Sequence, residues 1–339
     1  MCCLFGIVDY KHKLTYRQKD IILKTLSVAC EVRGKDATGI AYNRNGKLEI
    51  HKKPLPAHKF KYKIPNGTDV VMGHTRLTTQ GSEKLNWNNH PFEGRCINTN
   101  FALAHNGIIS NDIMLRKKFD IPKTNIETDS FVAVQIIEKE GTFNINAIRK
   151  MAESVEGSFC FTLLDSSNCL YIVKGDNPMA VFNFENMGFY MYASTEEILK
   201  NVLKTLSLTK SLNKIGHYKK IDIKMGDILV IHQNGETEMD SFDISSLLMF
   251  EYPYCAYYNW GFSTKLSSDK IRKKHIKNEN MCISYLEELI NYAGNIGISE
   301  DEIMFMYENG FDEEEIENML YDPYMFRCCL EDTLDMWYV

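Results

Sequence analysis

The feature that most constrains this chain is its first stretch, Met1-Cys2-Cys3-Leu4-Phe5-Gly6-Ile7-Val8. Cysteine is small enough for the preceding methionine to be removed, so Cys2 is expected to become the N-terminal residue. It would then carry a thiol of pKa about 8.5 beside an α-amine of pKa about 7.7–8.0. A neutral amine can take the thiol proton without a histidine, so a single residue would supply nucleophile and base. The apolar residues behind it predict a buried strand, whereas the plain alternative is a fraying terminus that happens to contain cysteine.

Composition excludes several classes of protein. The chain has 339 residues, of which 44% are hydrophobic and 25% charged, which is typical of a globular protein with one large and one small domain. No apolar run reaches the ~18 residues of a membrane span, and the start lacks the pattern of a signal peptide. The ten cysteines show neither a C-x-x-C motif nor zinc-ligand spacing. We therefore expect reduced thiols, no metal site, no membrane partner and a cytoplasmic location.

The charge is unevenly distributed along the chain. The net charge is -6, yet residues 299–339 contain 13 acidic side chains and one basic one, Arg327. The remainder of the chain is therefore slightly basic, but its excess is small and spread out, so we expect no nucleic-acid partner. The acidic end is expected to attract a basic surface, either of this chain or of a partner.

Hydrophobic spacing predicts a layered α+β domain. A helix is predicted at 16–32, followed by a hairpin of 39–44 and 47–53 around Asn45-Gly46. Further strands are predicted at 69–72, 101–104, 158–164, 169–174, 180–184, 189–193, 218–223 and 227–232. Further helices are predicted to begin at residues 127–130, to span 144–155 and to begin at 194.

Several polar residues in these segments have both a structural and a chemical interpretation. Arg33 and Asp36, on either side of Gly34 in a short charged loop that ends at Gly39, would by themselves form a salt bridge. Arg76 follows a buried strand among hydroxyl groups, where its guanidinium could fork onto a carboxylate. Asn106-Gly107 is either a hairpin turn or a pair of donors, one amide and one backbone N–H, that converge on an oxyanion. Asp129, at a helix start, is by default a helix cap.

Taken in order, these segments resemble the class II glutamine amidotransferases, the N-terminal-nucleophile glutaminases found in amidophosphoribosyltransferase and glucosamine-6-phosphate synthase. The matching stretches are Cys2 with Gly6, the loop 33–39, GHTRLTTQG at 73–81, and HNGII at 105–109 with Thr128-Asp129-Ser130 beyond it. The resemblance covers residues 2–240. It implies an α+β, four-layer αββα N-terminal-nucleophile hydrolase fold, to which a small C-terminal helical region is added.

The resemblance also implies a role for each matching residue. Cys2 would attack the side-chain amide of L-glutamine and form a thioester, and Asn106 and Gly107 would form the oxyanion hole. Ammonia would be released for a synthase partner that this chain does not contain. The reaction would need no cofactor. Substrate binding would fall to Arg76 at the α-carboxylate and Asp129 at the α-ammonium, with Thr79 and Arg33 assisting.

Three positions depart from the family pattern. Cys3 stands where glycine is usual in the family, so it adds a second thiol beside Cys2. Its larger side chain is expected to make close packing at the terminus harder. Leu77 replaces a common aromatic residue, and Phe131 replaces an acidic one. The last two are expected to reshape the pocket without removing a charged contact.

The expected organisation is a glutaminase domain at 2–240, an aromatic and then basic connecting segment at 241–280, and an acidic helical tail at 281–339. Helices are predicted in the tail at 281–293, 299–309 and 312–320. The tail is too short for a sugar-isomerase or phosphoribosyltransferase domain. Two other functions stay open at this point: an N-terminal cysteine hydrolase of another amide, and a non-catalytic glutaminase-like regulatory subunit.

Overall fold

The structure is a computed structural model that divides the chain into two compact units, Met1–Tyr252 and Pro253–Val339. It describes residues 2–209, 212, 215–247, 286, 289–290, 293–294, 297–309, 311, 313–320, 326–327, 329–330 and 333. The aromatic stretch 250–262, the basic run 270–275 and most of the predicted helix 281–293 lie outside these residues. The boundaries of the three segments drawn from the sequence therefore stay predictions.

The described part of the first unit contains five α-helices and thirteen strands. The helices are α1 (Tyr16–Ala29), α2 (Asp112–Lys118), α3 (Phe131–Lys139), α4 (Ile145–Ser154) and α5 (Glu196–Ser207). The strands are β1 (Cys3–Val8), β2 (Ala37–Arg44), β3 (Lys47–Lys53), β4 (Val70–Arg76), β5 (Phe92–Arg95), β6 (Asn100–Ile109), β7 (Gly157–Asp165), β8 (Leu170–Lys174), β9 (Ala180–Phe184), β10 (Phe189–Ala193), β11 (Lys219–Ile221), β12 (Asp227–Ile231) and β13 (Thr237–Ser241).

These strands form two sheets in which every pairing between the named strands is antiparallel. The first sheet has seven strands in the order β11-β9-β10-β1-β4-β2-β3. The second has six strands in the order β13-β12-β8-β7-β6-β5. β1, which begins one residue after Cys2, therefore lies in the middle of the first sheet, and its neighbour β4 carries Arg76.

The alternation of side chains along β1 shows how the layers are stacked. Phe5 and Ile7 pack with residues of α1 and α5 on the outer face of the first sheet. Leu4 and Val8, on the opposite face, pack against residues of β6, β7, β8 and β12 from the second sheet. A third cluster joins the outer face of the second sheet to α3 and α4. Since successive strand residues point to opposite faces, this order gives the four predicted layers, αββα.

Two Asn-Gly pairs, identical in sequence, have different structures. Asn45 and Gly46 have φ of 50° and 72° and connect β2 to β3, so the predicted hairpin is confirmed. Asn106 and Gly107 lie inside β6 and pair with β7, so the alternative of a second hairpin turn is wrong. The strand predicted at 101–104 therefore continues through the residues predicted to carry chemistry.

The described residues of the second unit include two helices, α6 (Glu300–Glu308) and α7 (Glu313–Leu320). They confirm the helices predicted at 299–309 and 312–320. Ser299 and Glu302 form a reciprocal cap at the start of α6. Ile303, Met306 and Ile316 are fully buried within a separate apolar cluster of this unit. None of the helices that the structure describes in either unit is long and apolar enough to cross a bilayer.

Candidate active site

Cys2 immediately precedes β1 and is half-buried. Cys3 is paired with Thr75 of β4, so the chain positions Cys2 beside the end of that strand. The Cys2 thiol donates to the backbone oxygen of Leu77, with Sγ 3.4 Å from that oxygen. Arg33 donates from Nε to the Cys2 carbonyl oxygen at 2.9 Å. The terminus is therefore anchored on both its side-chain and backbone atoms, and the alternative of a fraying end is wrong.

The electrostatic surroundings of Cys2 link it to two other predicted site residues. Burial raises the pKa of the Cys2 thiol, because desolvation penalises the thiolate. The hydrogen bond to Leu77 and the positive charge of Arg76 act to lower this pKa, and the negative charge of Asp129 acts to raise it. Arg76 and Asp129 therefore act on the thiol with opposite charges. Since its pKa is raised, the thiol is protonated at neutral pH and needs a base.

The loop around Gly34 fixes the end of β4 next to Cys2. A Cβ at Gly34 would lie 2.4 Å from the backbone carbon of Arg76, so only glycine allows this approach. The Asp36 backbone N–H donates to the Arg76 oxygen at 2.9 Å, and its carboxylate accepts from the Thr78 N–H at 2.7 Å. The segment that carries Arg76 and Leu77 is thus held from one side by this loop.

Arg76, the last residue of β4, is 3% exposed and its guanidinium is held by neutral oxygens. Nη1 donates to Oδ1 of Asn89 at 2.7 Å, and Nη2 donates to the backbone oxygens of Gln80 and Gly81 at 2.6 and 2.9 Å. No carboxylate within the described ranges forms a salt bridge with it. A buried and oriented positive charge without an ionic partner is suited to an anionic ligand group.

Asp129 supplies the opposite charge and is also 3% exposed. Oδ2 accepts from the backbone N–H of Ile109 in β6 at 2.6 Å, and Oδ1 accepts from the N–H of Ser130 at 2.7 Å. The N-cap residue of α3 is Ser130, with no side-chain cap, so the default reading of Asp129 as that helix cap is wrong. Asp129 is instead tied to β6 two residues beyond Gly107.

Asn106 and Gly107 have the features of an anion-binding pair. Asn106 is fully buried, and neither Oδ1 nor Nδ2 has a hydrogen-bond partner among the described residues. Gly107 has φ of 146°, and a Cβ there would lie 1.8 Å from the Ser158 oxygen, so the position requires glycine. A buried amide left without an internal partner is expensive unless a ligand satisfies it, and this favours a functional role for Asn106.

The structure also places the remaining predicted residues. Thr79 is exposed in the loop after β4. Leu77 is 41% exposed and contributes its backbone oxygen to Cys2, whereas the Phe131 ring packs edge-on against Phe92 at 5.4 Å. Cys3 is fully buried on the helix-facing side of β1, so it is accommodated without disturbing the packing. Although Cys3 directly follows Cys2, its thiol is therefore shielded from the site.

Sequence reasoning missed Asn89 and the buried histidines behind the site. Asn89 is fully buried and orients Arg76, and nothing in the sequence marks it for that role. Burial lowers the pKa of His74 to about 3, and it lowers the pKa of His90 and of His105 as well. His105 Nδ1 lies 2.8 Å from Ser130 Oγ, which in turn donates to Asp129, so a neutral imidazole supports the acidic residue.

Two solved structures share the fold of this site. Glutamine phosphoribosylpyrophosphate amidotransferase from B. subtilis matches with a TM-score of 0.57 and 19% identity, over 72% of this chain and 50% of that one. A structure described as the allosteric regulatory enzyme of purine biosynthesis matches with a TM-score of 0.54 and 21% identity, over 72% of this chain and 49% of that one. The first unit therefore has the N-terminal-nucleophile hydrolase fold of the amidotransferases.

Sequence comparison finds a matching domain model and several relatives. The family model described as "Glutamine amidotransferase domain" matches residues 74–201. Glutamine–fructose-6-phosphate aminotransferase (isomerizing) of Staphylococcus aureus is 28% identical over 253 residues, and that of Streptococcus pyogenes is 26% identical over 270. These alignments span 71% and 75% of this chain but only 39% and 42% of the relatives. Over residues 74–201 the chain is therefore similar to glutamine amidotransferase domains, in agreement with the resemblance that the motifs carry.

Proposed function

We propose that this protein hydrolyses the side-chain amide of L-glutamine to glutamate and ammonia, with Cys2 as the N-terminal nucleophile. The observation that carries the proposal is the pair of buried, oppositely charged groups, Arg76 and Asp129, near the Cys2 thiol. The head group of glutamine carries one carboxylate and one ammonium. A site with one fixed positive and one fixed negative group binds such a zwitterion and rejects ligands that lack either charge.

The proposed reaction has two stages. After removal of Met1, the α-amine of Cys2 takes the thiol proton, and the thiolate attacks the amide carbon of the substrate. Asn106 Nδ2 and the Gly107 N–H stabilise the negative charge that develops on the amide oxygen. The amine returns the proton to the leaving nitrogen, so ammonia departs and a thioester remains. Water, deprotonated by the same amine, then hydrolyses the thioester to glutamate and restores the thiol.

Other predicted residues take supporting roles in this proposal. Arg33 fixes the carbonyl of Cys2 and thereby positions the nucleophile beside the substrate. Thr79 assists at the amino-acid head group from the loop after β4. Arg76 approaches the α-carboxylate while held by Asn89, so it needs little reorganisation when glutamine binds.

The ammonia is proposed to serve an acceptor bound by a separate synthase partner. The relatives named above are more than twice as long as the segment that matches this chain. The short second unit, whose described helices pack an apolar cluster of their own, contributes none of the residues assigned to chemistry. A cytoplasmic location is proposed because the described cysteines are all free thiols.

The proposal is tested by measuring glutamate release from L-glutamine and, in parallel, ammonia release from a simple amide such as butyramide, which lacks both head-group charges. Hydrolysis of glutamine with little activity on the simple amide supports the proposal. Equal or better hydrolysis of the simple amide favours an N-terminal cysteine hydrolase of other amides. A folded protein without Met1 that hydrolyses neither would instead be a non-catalytic subunit.

A further inference from the structure

A basic cavity lies beside β3, outside the residues assigned to glutamine. Its volume is about 610 Å³, which is in the range of small-molecule sites. β3 forms the edge of the first sheet within the described chain, so no strand covers this side of it. The lining includes His51 and four lysines, Lys52, Lys53, Lys61 and Lys63.

The positive charge of this cavity is not balanced internally. None of the four lysines forms a salt bridge with a residue that the structure describes. The acidic residue in the lining is Glu93, and its carboxylate lies 3.2 Å from Nε of Arg95. Four cations that gather around one concavity without acidic partners repel one another, so an anion that enters would relieve this repulsion.

The segment that carries two of these lysines is held rigidly. Residues 60–64 alternate between buried and exposed side chains. Phe60, Tyr62 and Ile64 are buried in the cluster on the outer face of the first sheet. Lys61 and Lys63, at the intervening positions, are exposed, and they line the cavity together with Phe60 and Tyr62. The buried apolar residues thus fix the backbone of this segment, and the two lysines occupy its exposed positions. Such a cavity is already formed before a ligand binds, which lowers the entropy lost on binding.

Lys52 connects the cavity to the glutamine site. It is the least exposed of the four lysines, and burial lowers its pKa to about 8. Its ammonium donates to the backbone oxygens of Asn89 and Pro91 and lies 4.8 Å from the centre of the Phe92 ring. Asn89 is the residue whose side chain holds Arg76. An anion beside Lys52 would stabilise its charged form and strengthen its bond to Asn89.

We propose that this cavity is a binding site for a phosphorylated small molecule. Several lysines around one concavity match the two or more negative charges of a phosphoryl or pyrophosphoryl group better than the single charge of a carboxylate. The apolar side chains of Ile50 and Pro91 in the lining provide contacts for the rest of such a molecule. Binding itself does not depend on the proposed glutaminase activity. Any effect on glutamine, transmitted through Asn89, rests on that activity.

The experiment is isothermal titration of the full chain with inorganic pyrophosphate, and separately with a single-stranded oligoribonucleotide, both without glutamine. The test variant is Lys61→Ala with Lys63→Ala, whose exposed side chains are not needed for folding. The matched control is Lys117→Ala with Lys118→Ala, which removes the same charge from the exposed end of α2.

We expect saturable pyrophosphate binding that the test variant weakens by about tenfold, with the control variant close to wild type. Binding should also weaken as salt is raised, since exposed charges are screened. Absence of saturable binding in the millimolar range, or equal affinity in the two double variants, would overturn the site. Tighter binding of the oligonucleotide through the same lysines would show a nucleic-acid surface in place of a small-molecule site.

Discussion

Arg33 donates a hydrogen bond of 2.9 Å from its Nε to the carbonyl oxygen of Cys2. The bond joins the loop after α1 to the residue that carries the thiol, from 31 positions away in sequence. The same loop holds Leu77 in place through Gly34 and Asp36, and Leu77 in turn accepts from the thiol. A charged loop that contains Gly34 therefore positions Cys2, the proposed nucleophile.

The position of Arg33 predicts which kinetic parameter it controls. Arg33→Ala should lower kcat for glutamine by about tenfold while KM changes much less, because a mispositioned thiol slows the chemistry without removing a substrate contact. Steady-state glutamate release measures both constants. A large rise in KM with kcat preserved would show instead that Arg33 contacts the substrate, as the family resemblance implied.

Asn106 should matter for the rate and little for stability. Loss of one oxyanion donor typically costs about 10²–10³ in kcat, and Asn106→Ala should fall in that range. Its free energy of unfolding should change little, since neither amide atom has a partner in the described structure. Asn111→Ala is the matched control: Asn111 bonds the backbone of Ser154 and Glu156, so its loss should lower the melting temperature and spare kcat. Reversed effects would contradict the assignment.

The buried histidines predict a pH-dependent stability. Burial holds the pKa of His90 well below the value of about 6.5 that it has when unfolded, so between the two values the unfolded state binds the extra proton. The contribution of each such histidine to the free energy of unfolding is therefore fully present above about pH 6.5. Below that pH it falls by about 1.4 kcal/mol per pH unit.

His90→Phe removes one of these titrations while keeping a ring against His74 and Phe92, whose ring centres lie 4.3 and 4.4 Å away. Urea unfolding between about pH 6 and pH 4 should show a shallower loss of free energy in this variant. His217→Phe, at an exposed position, is the matched control for the substitution itself. An unchanged slope in His90→Phe would contradict a buried, neutral His90.

Truncation tests where the glutaminase part ends. β13 pairs with β12, and Phe242 and Leu247 are each 6% exposed within the cluster beneath α3 and α4. A chain that ends at Tyr252 should therefore hydrolyse glutamine within about twofold of the full chain, whereas one that ends at Gly235 should be markedly less stable. A folded chain ending at Tyr252 that has lost its activity would show that later residues contribute to catalysis.

The fold was predictable where local patterns matched the final layers. β9 and β10 begin and end at the residues predicted, because both are short, mostly apolar segments bounded by turn residues. β5 and β13 were missed: Phe92–Arg95 and Thr237–Ser241 contain few buried residues, and pairing with β6 and β12 determines their conformation. Such tertiary pairing has no local signature.

The site was predictable through its motifs but not through its contacts. Asn106-Gly107 has the sequence of a hairpin turn, and the neighbouring strand β7, paired across positions 157–165, makes it part of β6. Asp129 was predicted by default to be a helix cap, but its carboxylate accepts a hydrogen bond from the N–H of Ile109 in β6. Asn89 gave no signal, since its role depends on where β4 places Arg76.

The central claim, that Cys2 is an N-terminal nucleophile, is tested most directly by combining intact mass with activity. Mass spectrometry should show that Met1 is absent, and Cys2→Ala should abolish glutamate release. Cys3→Ala is the control at the adjacent residue. It should keep most activity because the Cys3 thiol is buried on the helix-facing side of β1. Full activity with Met1 retained, or equal loss from both substitutions, would contradict the account.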